Sequence, residues 1–239
     1  MGLQEFGFGE GDEKIGAKSK RYKAKEGNTD RVSLAWWPDK AGAPDLTAAT
    51  PKFIGCKRLY IEGVGYVMDK GPEYAKLAGQ ASKTHVGTVM VVWPTDSKGG
   101  IDKSRFDAND FDVVTWIMST DKYRTIESRH MEFHLGSHDL TLKCTDTQFQ
   151  KIDVGPCKES LLAKILAKSP ERAALLLEAI ATAIADLPND LAQDLTIDQI
   201  RDKMKGKSGG GGGASPAVFS GSSNSSPDFD NLLDDVLKT

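Results

Sequence analysis

VGTVMVVW, residues 86–93, is an apolar run rich in β-branched residues, closed at its end by the turn-forming stretch PTDSKGG. A run this short, this apolar and so bounded reads as a buried strand. Its neighbours along the chain extend the pattern. FDVVTWIM, residues 111–118, is a further strand, and RVSLAWW, residues 31–37, alternates and is rich in β-formers. CKRLYIEGVGYVMD, residues 56–69, reads as one long strand that Gly63 and Gly65 interrupt with a bulge or sharp bend. A Pro, Ala and Thr loop covers 38–51. Thr120 is placed to cap a short helix over 121–131, and HDLTLKC, residues 138–144, alternates as a last strand.

Helical spacing appears only after these strands. CKESLLAKILAK and SPERAALLLEAIATAIADL carry apolar residues three and four apart. Ser169-Pro170-Glu171 is a helix start with Pro in the first turn, and Thr196 with Gln199 forms a capping box. Strands first and helices afterwards argue against a doubly wound sheet. The expected fold is therefore mainly β, a small five-stranded antiparallel barrel followed by a helical appendage. The organisation expected is a mobile arm over 1–20, the barrel over 21–157, the helices over 158–205, a Gly/Ser-rich linker over 206–226 and an acidic tip over 227–239. No internal repeat is visible.

The tip, PDFDNLLDDVLKT, follows SGGGGGASPAVFSGSSNSS. The linker composition cannot bury enough apolar surface to fold, so a flexible, disordered tail is expected. Asp228, Asp230, Asp234 and Asp235 stand against the single cation Lys238. Phe229, Leu232, Leu233, Val236 and Leu237 are interleaved with them and share one face at helical spacing. Five apolar side chains make a poor solubiliser and a good peptide for a partner protein.

The net charge of −3 conceals an uneven distribution. Residues 1–13 hold Glu5, Glu10, Asp12 and Glu13 with no Lys or Arg. Residues 14–31 hold Lys14, Lys18, Lys20, Arg21, Lys23, Lys25 and Arg31 against Glu26 and Asp30. A basic stripe flanked by acidic ends suggests a polyanion partner, with the ends competing for the same surface; the bland account is a solvated charged face. Cys56, Cys144 and Cys157 make no disulfide framework, no apolar stretch has membrane-spanning length, and MGLQEFGFGEGDEK lacks the regions of a signal peptide. A reduced, cytoplasmic protein is expected.

Several aromatic residues adjoin cations. Trp36 and Trp37 follow Arg31, Tyr60 follows Lys57 and Arg58, and Trp93 precedes Lys98. Adjacent residues on a strand face opposite ways, so one of Trp36 and Trp37 serves the core and the other points outward. An outward indole among cations suits stacking on unpaired bases, although core packing is the commoner use of any single aromatic residue. His130, His134, His138, Cys144 and Cys157 invite a zinc reading, but there is no close Cys pair, and surface histidines with buried thiols account for them better. DANDFD, residues 107–112, is read as a solvated loop. GGGGG at 209–213 leads into no helix and lacks the Gly-Lys-Ser/Thr ending of a phosphate loop. Neither metal nor cofactor is expected.

The runs KAKEGNTDRVSLAWWP, GVGYV, VVWPTD and HDLTLKCTDTQFQKIDVGPCKESLL, together with the acidic tip, resemble bacteriophage single-stranded-DNA-binding proteins over residues 20–165. That resemblance implies an OB-fold barrel, a non-enzymatic role coating unpaired DNA in replication, recombination or repair, and recruitment of replication proteins through the tail. The tip ends in Val-Leu-Lys-Thr, unlike the Asp-rich Pro-Phe ending of bacterial homologues. Phosphate contacts are expected from Lys18, Lys20, Arg21, Lys23, Lys25, Arg31, Lys57 and Arg58. Stacking is expected from among Trp36, Trp37, Tyr60, Tyr66, Trp93 and Trp116. Two other readings remain open: a protein-interaction adaptor whose barrel binds a peptide, and an RNA-binding regulator.

Overall fold

The run at 86–93 is the body of an eleven-residue strand, β5 (Lys83–Trp93), around which the sheet is arranged. The computed structural model describes residues 20–35, 53–96, 99–146 and 151–207. The other elements are β1 (Lys20–Arg21), β2 (Thr29–Leu34), β3 (Ile54–Ile61), β4 (Gly65–Met68), α1 (Pro72–Ala78), α2 (Lys103–Asp107), β6 (Asp112–Ser119), α3 (Thr120–Glu132), β7 (Leu140–Cys144), β8 (Ile152–Pro156), α4 (Leu161–Lys168), α5 (Pro170–Leu191) and α6 (Ile197–Lys207).

One edge of β5 pairs with β6, from His85↔Ser119 to Val92↔Asp112. The other edge is divided. β3 takes its first half, from Arg58↔Lys83 to Ile54↔Gly87, and β2 takes its second, from Leu34↔Met90 to Arg31↔Trp93. β2 continues to β7 and β8, and β3 continues to β4. All these pairs are antiparallel; β1 alone lies parallel, against β6.

Among the described residues the sheet therefore has eight strands where the sequence suggests five, and no pairing there joins its outer strands into a closed barrel. Part of the difference lies in CKRLYIEGVGYVMD. It is a hairpin, β3 and β4, and not one bent strand: Gly63 (φ 77°) and Gly65 (φ 101°) let the chain reverse so that Tyr60 faces Tyr66. β8 carries Gly155 and Pro156, and β1 has only two residues, so neither gives a strand signal.

Both faces of β5 are buried. Met90 and Val86 lie with Val32, Leu34, Val114, Trp116, Met118, Leu140 and Leu142 in one cluster, closed by Tyr123 and Ile126 of α3. Val89, Val91 and Trp93 face Leu162 and Ile165 of α4 and Leu176, Ile180, Ala183 and Leu187 of α5. A third cluster joins Leu59, Ile61 and Val67 to Tyr74 of α1 and Ile200 of α6. The late helices are thus not set apart from the sheet; α5 supplies half of one core. Gly87 allows this approach, since a Cβ there would stand 3.0 Å from Leu187 Cδ1. The Thr196–Gln199 box forms as its spacing predicts: Thr196 N–H donates to Gln199 Oε1 at 2.8 Å, and Gln199 N–H to Thr196 Oγ1 at 3.3 Å. No helix among the described residues is long and apolar enough to cross a membrane.

Leu187 has 0 % exposure, whereas Leu175 on the same helix has 53 %. Leu187→Ala should cost about 2–5 kcal/mol by chemical denaturation, the usual range for a buried leucine. Leu175→Ala should stay within about 0.5 kcal/mol of the parent. Equal costs would show that α5 does not carry the second core.

Candidate nucleic-acid interface

Alternation along the β3–β4 hairpin separates two chemistries. Leu59, Ile61 and Val67 enter the third core. Arg58, Tyr60 and Tyr66 occupy the opposite face, where Tyr60 and Tyr66 stand directly across the strands with ring centroids 5.3 Å apart, edge to face. Tyr66 is 38 % exposed and Tyr60 half-buried. On β5 the same face presents Lys83 opposite Arg58 and His85 opposite Cys56. The His85 ring lies 6.4 Å from that of Tyr66.

The backbone beneath the tyrosines is held on both sides. Gln80 Nε2 donates to the Tyr60 carbonyl at 2.8 Å. The chain leaving α5 runs along β4: Gln193 N–H donates to Tyr66 O at 2.9 Å, Met68 N–H to Gln193 O at 3.0 Å, and Gln193 Nε2 to Val64 O at 3.0 Å.

Arg58 is 7 % exposed. Its Cζ lies 3.8 Å from the Tyr66 ring centroid, and its Nη1 donates to the Leu191 carbonyl at 2.7 Å. That carbonyl closes α5, where the helix dipole favours a cation. Burial lowers the Arg58 pKa to about 10. Burial, and after it the Arg58 charge, lowers His85 to about 4, so its imidazole is neutral at physiological pH.

The other expected phosphate contacts are distributed differently. Lys20 pairs with Asp112 at 2.8 Å. Arg21 Nε pairs with Asp190 Oδ1 at 3.1 Å, and its Nη2 donates to the Asp190 carbonyl. Arg31 Nε donates to Asp139 Oδ2 at 2.9 Å and its Nη2 to Glu159 O at 2.9 Å. Asp139 is fully buried; it also accepts from the Ser33 hydroxyl and from Leu161 N–H. Arg31 thus anchors a buried carboxylate. Lys23, Lys25 and Lys57 are exposed, Lys57 on the face of β3 away from Arg58.

Two of the expected stacking residues are corrected. Trp93 is 1 % exposed, lies between Phe106 and Phe111, and donates its Nε1–H to Ser33 Oγ at 2.8 Å. Trp116 is 3 % exposed and meets Tyr22 edge-on at 5.9 Å. Both are core residues because the strands that carry them are covered on the faces they point to. Trp36, Trp37, Lys18 and the whole tip, from Asp228 and Phe229 through Leu237, lie outside the described residues.

The acid-rich loop is occupied by cations of the chain itself: Asp110 pairs with Arg105 at 2.6 Å and Asp112 with Lys20. The His130 and His134 rings meet near the end of α3, tilted by 51° with centroids 5.1 Å apart, and His130 Nδ1 accepts from Leu135 N–H. Among the described residues no group of three or more His, Cys, Asp or Glu is placed to hold a metal ion. Lys83, His85 and Gln80 escape the sequence reading. The signal that finds them is the two-residue period of Lys83 and His85 along β5, once 56–69 is read as a hairpin.

The depressed His85 pKa has a definite sign. Below its ordinary value of 6.5 the unfolded chain takes up a proton that the native site refuses down to about 4. Stability should fall by about 2–3 kcal/mol as pH drops from 6.5 to 4, at about 1.4 kcal/mol per unit. In urea titrations at pH 7, 5.5 and 4.5, His85→Gln should lose less stability than the parent over this window. Parallel losses would remove His85 as the cause.

No family model matches this chain, and no curated protein or solved structure is significantly similar to it, so the chemistry of the site itself carries the functional reading.

Proposed function

We propose that this chain binds single-stranded DNA on an OB-like barrel and coats it during phage replication, recombination or repair, in the cytoplasm of the host cell and without catalysing a reaction. The observation that carries this reading is the Tyr60–Tyr66 pair, presented on one face with Arg58 behind it and Lys83 alongside. Aromatic faces accept any base, and cations track the backbone between bases. A base laid on the outward face of Tyr66 and a second beside Tyr60 is the simplest occupancy. The predominantly antiparallel sheet built on β5 supports the barrel reading. The acidic, apolar tip supports a second role, recruitment of replication or recombination proteins.

Titration with oligo(dT), blunt duplex and RNA at several salt concentrations tests the reading. Tyr66→Ala and Tyr60→Ala should each weaken oligo(dT) binding by about 1–3 kcal/mol, roughly 5- to 150-fold. The parent should lose affinity steeply with salt, by about 0.7 in log–log slope for each phosphate neutralised. Equal or tighter duplex binding would overturn the stacking surface. Preference for RNA would favour an RNA regulator, and no nucleic-acid binding would favour a peptide-binding adaptor. Because Trp93 and Trp116 are buried, a tryptophan quench on binding would report Trp36 or Trp37.

The tip carries four Asp and one Lys on a linker of about twenty residues. A flexible chain of that length spans roughly 25 Å, enough to bring the tip back to a small domain's own cationic surface. Deleting 227–239 should raise DNA affinity, most at low salt, and abolish capture of any protein that reads the Phe229, Leu232, Leu233 and Val236 face. Unchanged affinity in the folded deletion variant would count against competition by the tip.

A further inference from the structure

Arg58 is a buried cation whose hydrogen bonding is incomplete. Nη1 is committed to the Leu191 carbonyl, while Nε is buried with no hydrogen-bond partner. The Nε side of a guanidinium is one of the edges that binds carboxylate or phosphate with two parallel hydrogen bonds. Burying a charge with a donor unsatisfied is costly, and such an arrangement calls for a reason. Lys83 stands directly opposite Arg58 across the strands and offers it no counter-charge. Arg21 adds a further positive field. Among the described residues no ion pair joins Arg58 or Lys83 to a carboxylate. The half-exposed Tyr66 lies against the guanidinium and is the side chain able to yield.

We propose that Arg58 is a phosphoryl-binding site held beneath Tyr66, its Nε edge taking an oxygen of an incoming phosphate while Lys83 takes the charge on the solvent side. On the strand-binding reading above, on which this inference rests for its natural ligand, the phosphate is the diester beside the base stacked on Tyr66. Stacking and phosphate capture then occur on one residue pair. The donor left orphaned in the free protein gains its partner on binding, and the buried charge gains a counter-ion in the same event.

Three measurements on the full chain test this. First, His85 shares the face with Arg58, Lys83, Tyr66 and Cys56, so its imidazole resonances report the local charge. Adding inorganic phosphate should shift them, sodium chloride at equal ionic strength should not, and Arg58→Met should abolish the phosphate effect. Secondly, Arg58→Lys, which keeps the charge and loses the fork, should weaken oligo(dT) binding about tenfold, and Arg58→Met should also reduce the salt slope by about 0.7. Thirdly, Lys83→Glu gives Arg58 an internal counter-ion; it should raise the unfolding midpoint and lower oligo(dT) affinity at least tenfold. This variant keeps the Leu191 contact, so it serves even if Arg58→Met fails to fold. Unshifted His85 resonances at saturating phosphate, or a Lys83→Glu protein no more stable than the parent, would overturn the site. A phosphate response that needs Arg58, in a chain that ignores oligo(dT), would keep the anion site and remove the strand-binding reading instead.

Discussion

β5 is the constraint on which the structure depends. It is paired on both edges along most of its length and covered on both faces. A strand so placed can carry no polar side chain without a partner, which is why VGTVMVVW is apolar but for Thr88 where a half-exposed strand would alternate. The one polar residue within the run, Thr88, is buried, and Gly87 exists to admit Leu187. Dividing one edge between β2 and β3 follows from length: eleven residues outreach either partner, so two strands approach the same edge from different parts of the chain.

α5 is the helix that covers that strand. α5 crosses β5 and β6 and ends at Leu191, whose carbonyl receives Arg58. One residue earlier, Asp190 receives Arg21 and the Thr115 hydroxyl at 2.7 Å. The C-terminus of the helix is therefore fixed to β1, β3 and β6 by charge-assisted contacts, of which the Arg21 and Arg58 guanidiniums suit its dipole. The length of α5 also sets what remains uncovered. The helix stops at Arg58, and the face of the hairpin beyond that point, with Tyr60 and Tyr66, is left partly to solvent.

How much of this is legible in the sequence depends on range. Strands with a strong local pattern, β5, β6 and β7, can be read directly, as can the helix starts at Ser169-Pro170 and Thr196–Gln199, because caps and periods act within a few residues. The β3–β4 reversal is marked by Gly63 and Gly65, but glycine alone does not separate a bend from a hairpin. The cations are the harder case. Lys20 meets an aspartate 92 residues away and Arg21 one 169 residues away, so a basic stripe in sequence is in part a set of structural ion pairs. Trp93 precedes Lys98 in sequence, yet it and Trp116 lie inside cores in space; the helices that bury Trp93 come some seventy residues later.

Tyr66 is exposed and Tyr60 half-buried, yet the backbone of the pair is not free to move. The Tyr60 carbonyl is held by Gln80, and β4, which would otherwise be an open sheet edge, is closed by Gln193 on Val64, Tyr66 and Met68. An edge strand left bare would invite pairing with another chain. Closing it with the α5–α6 connection removes that hazard and also fixes the platform. With the backbone fixed, only the two side-chain torsions of each tyrosine remain to be ordered when a base is laid on the ring. The connection from α5 is therefore as much a part of the site as the tyrosines: it ties the packing of the second core to the orientation of the one aromatic face the hairpin offers to solvent.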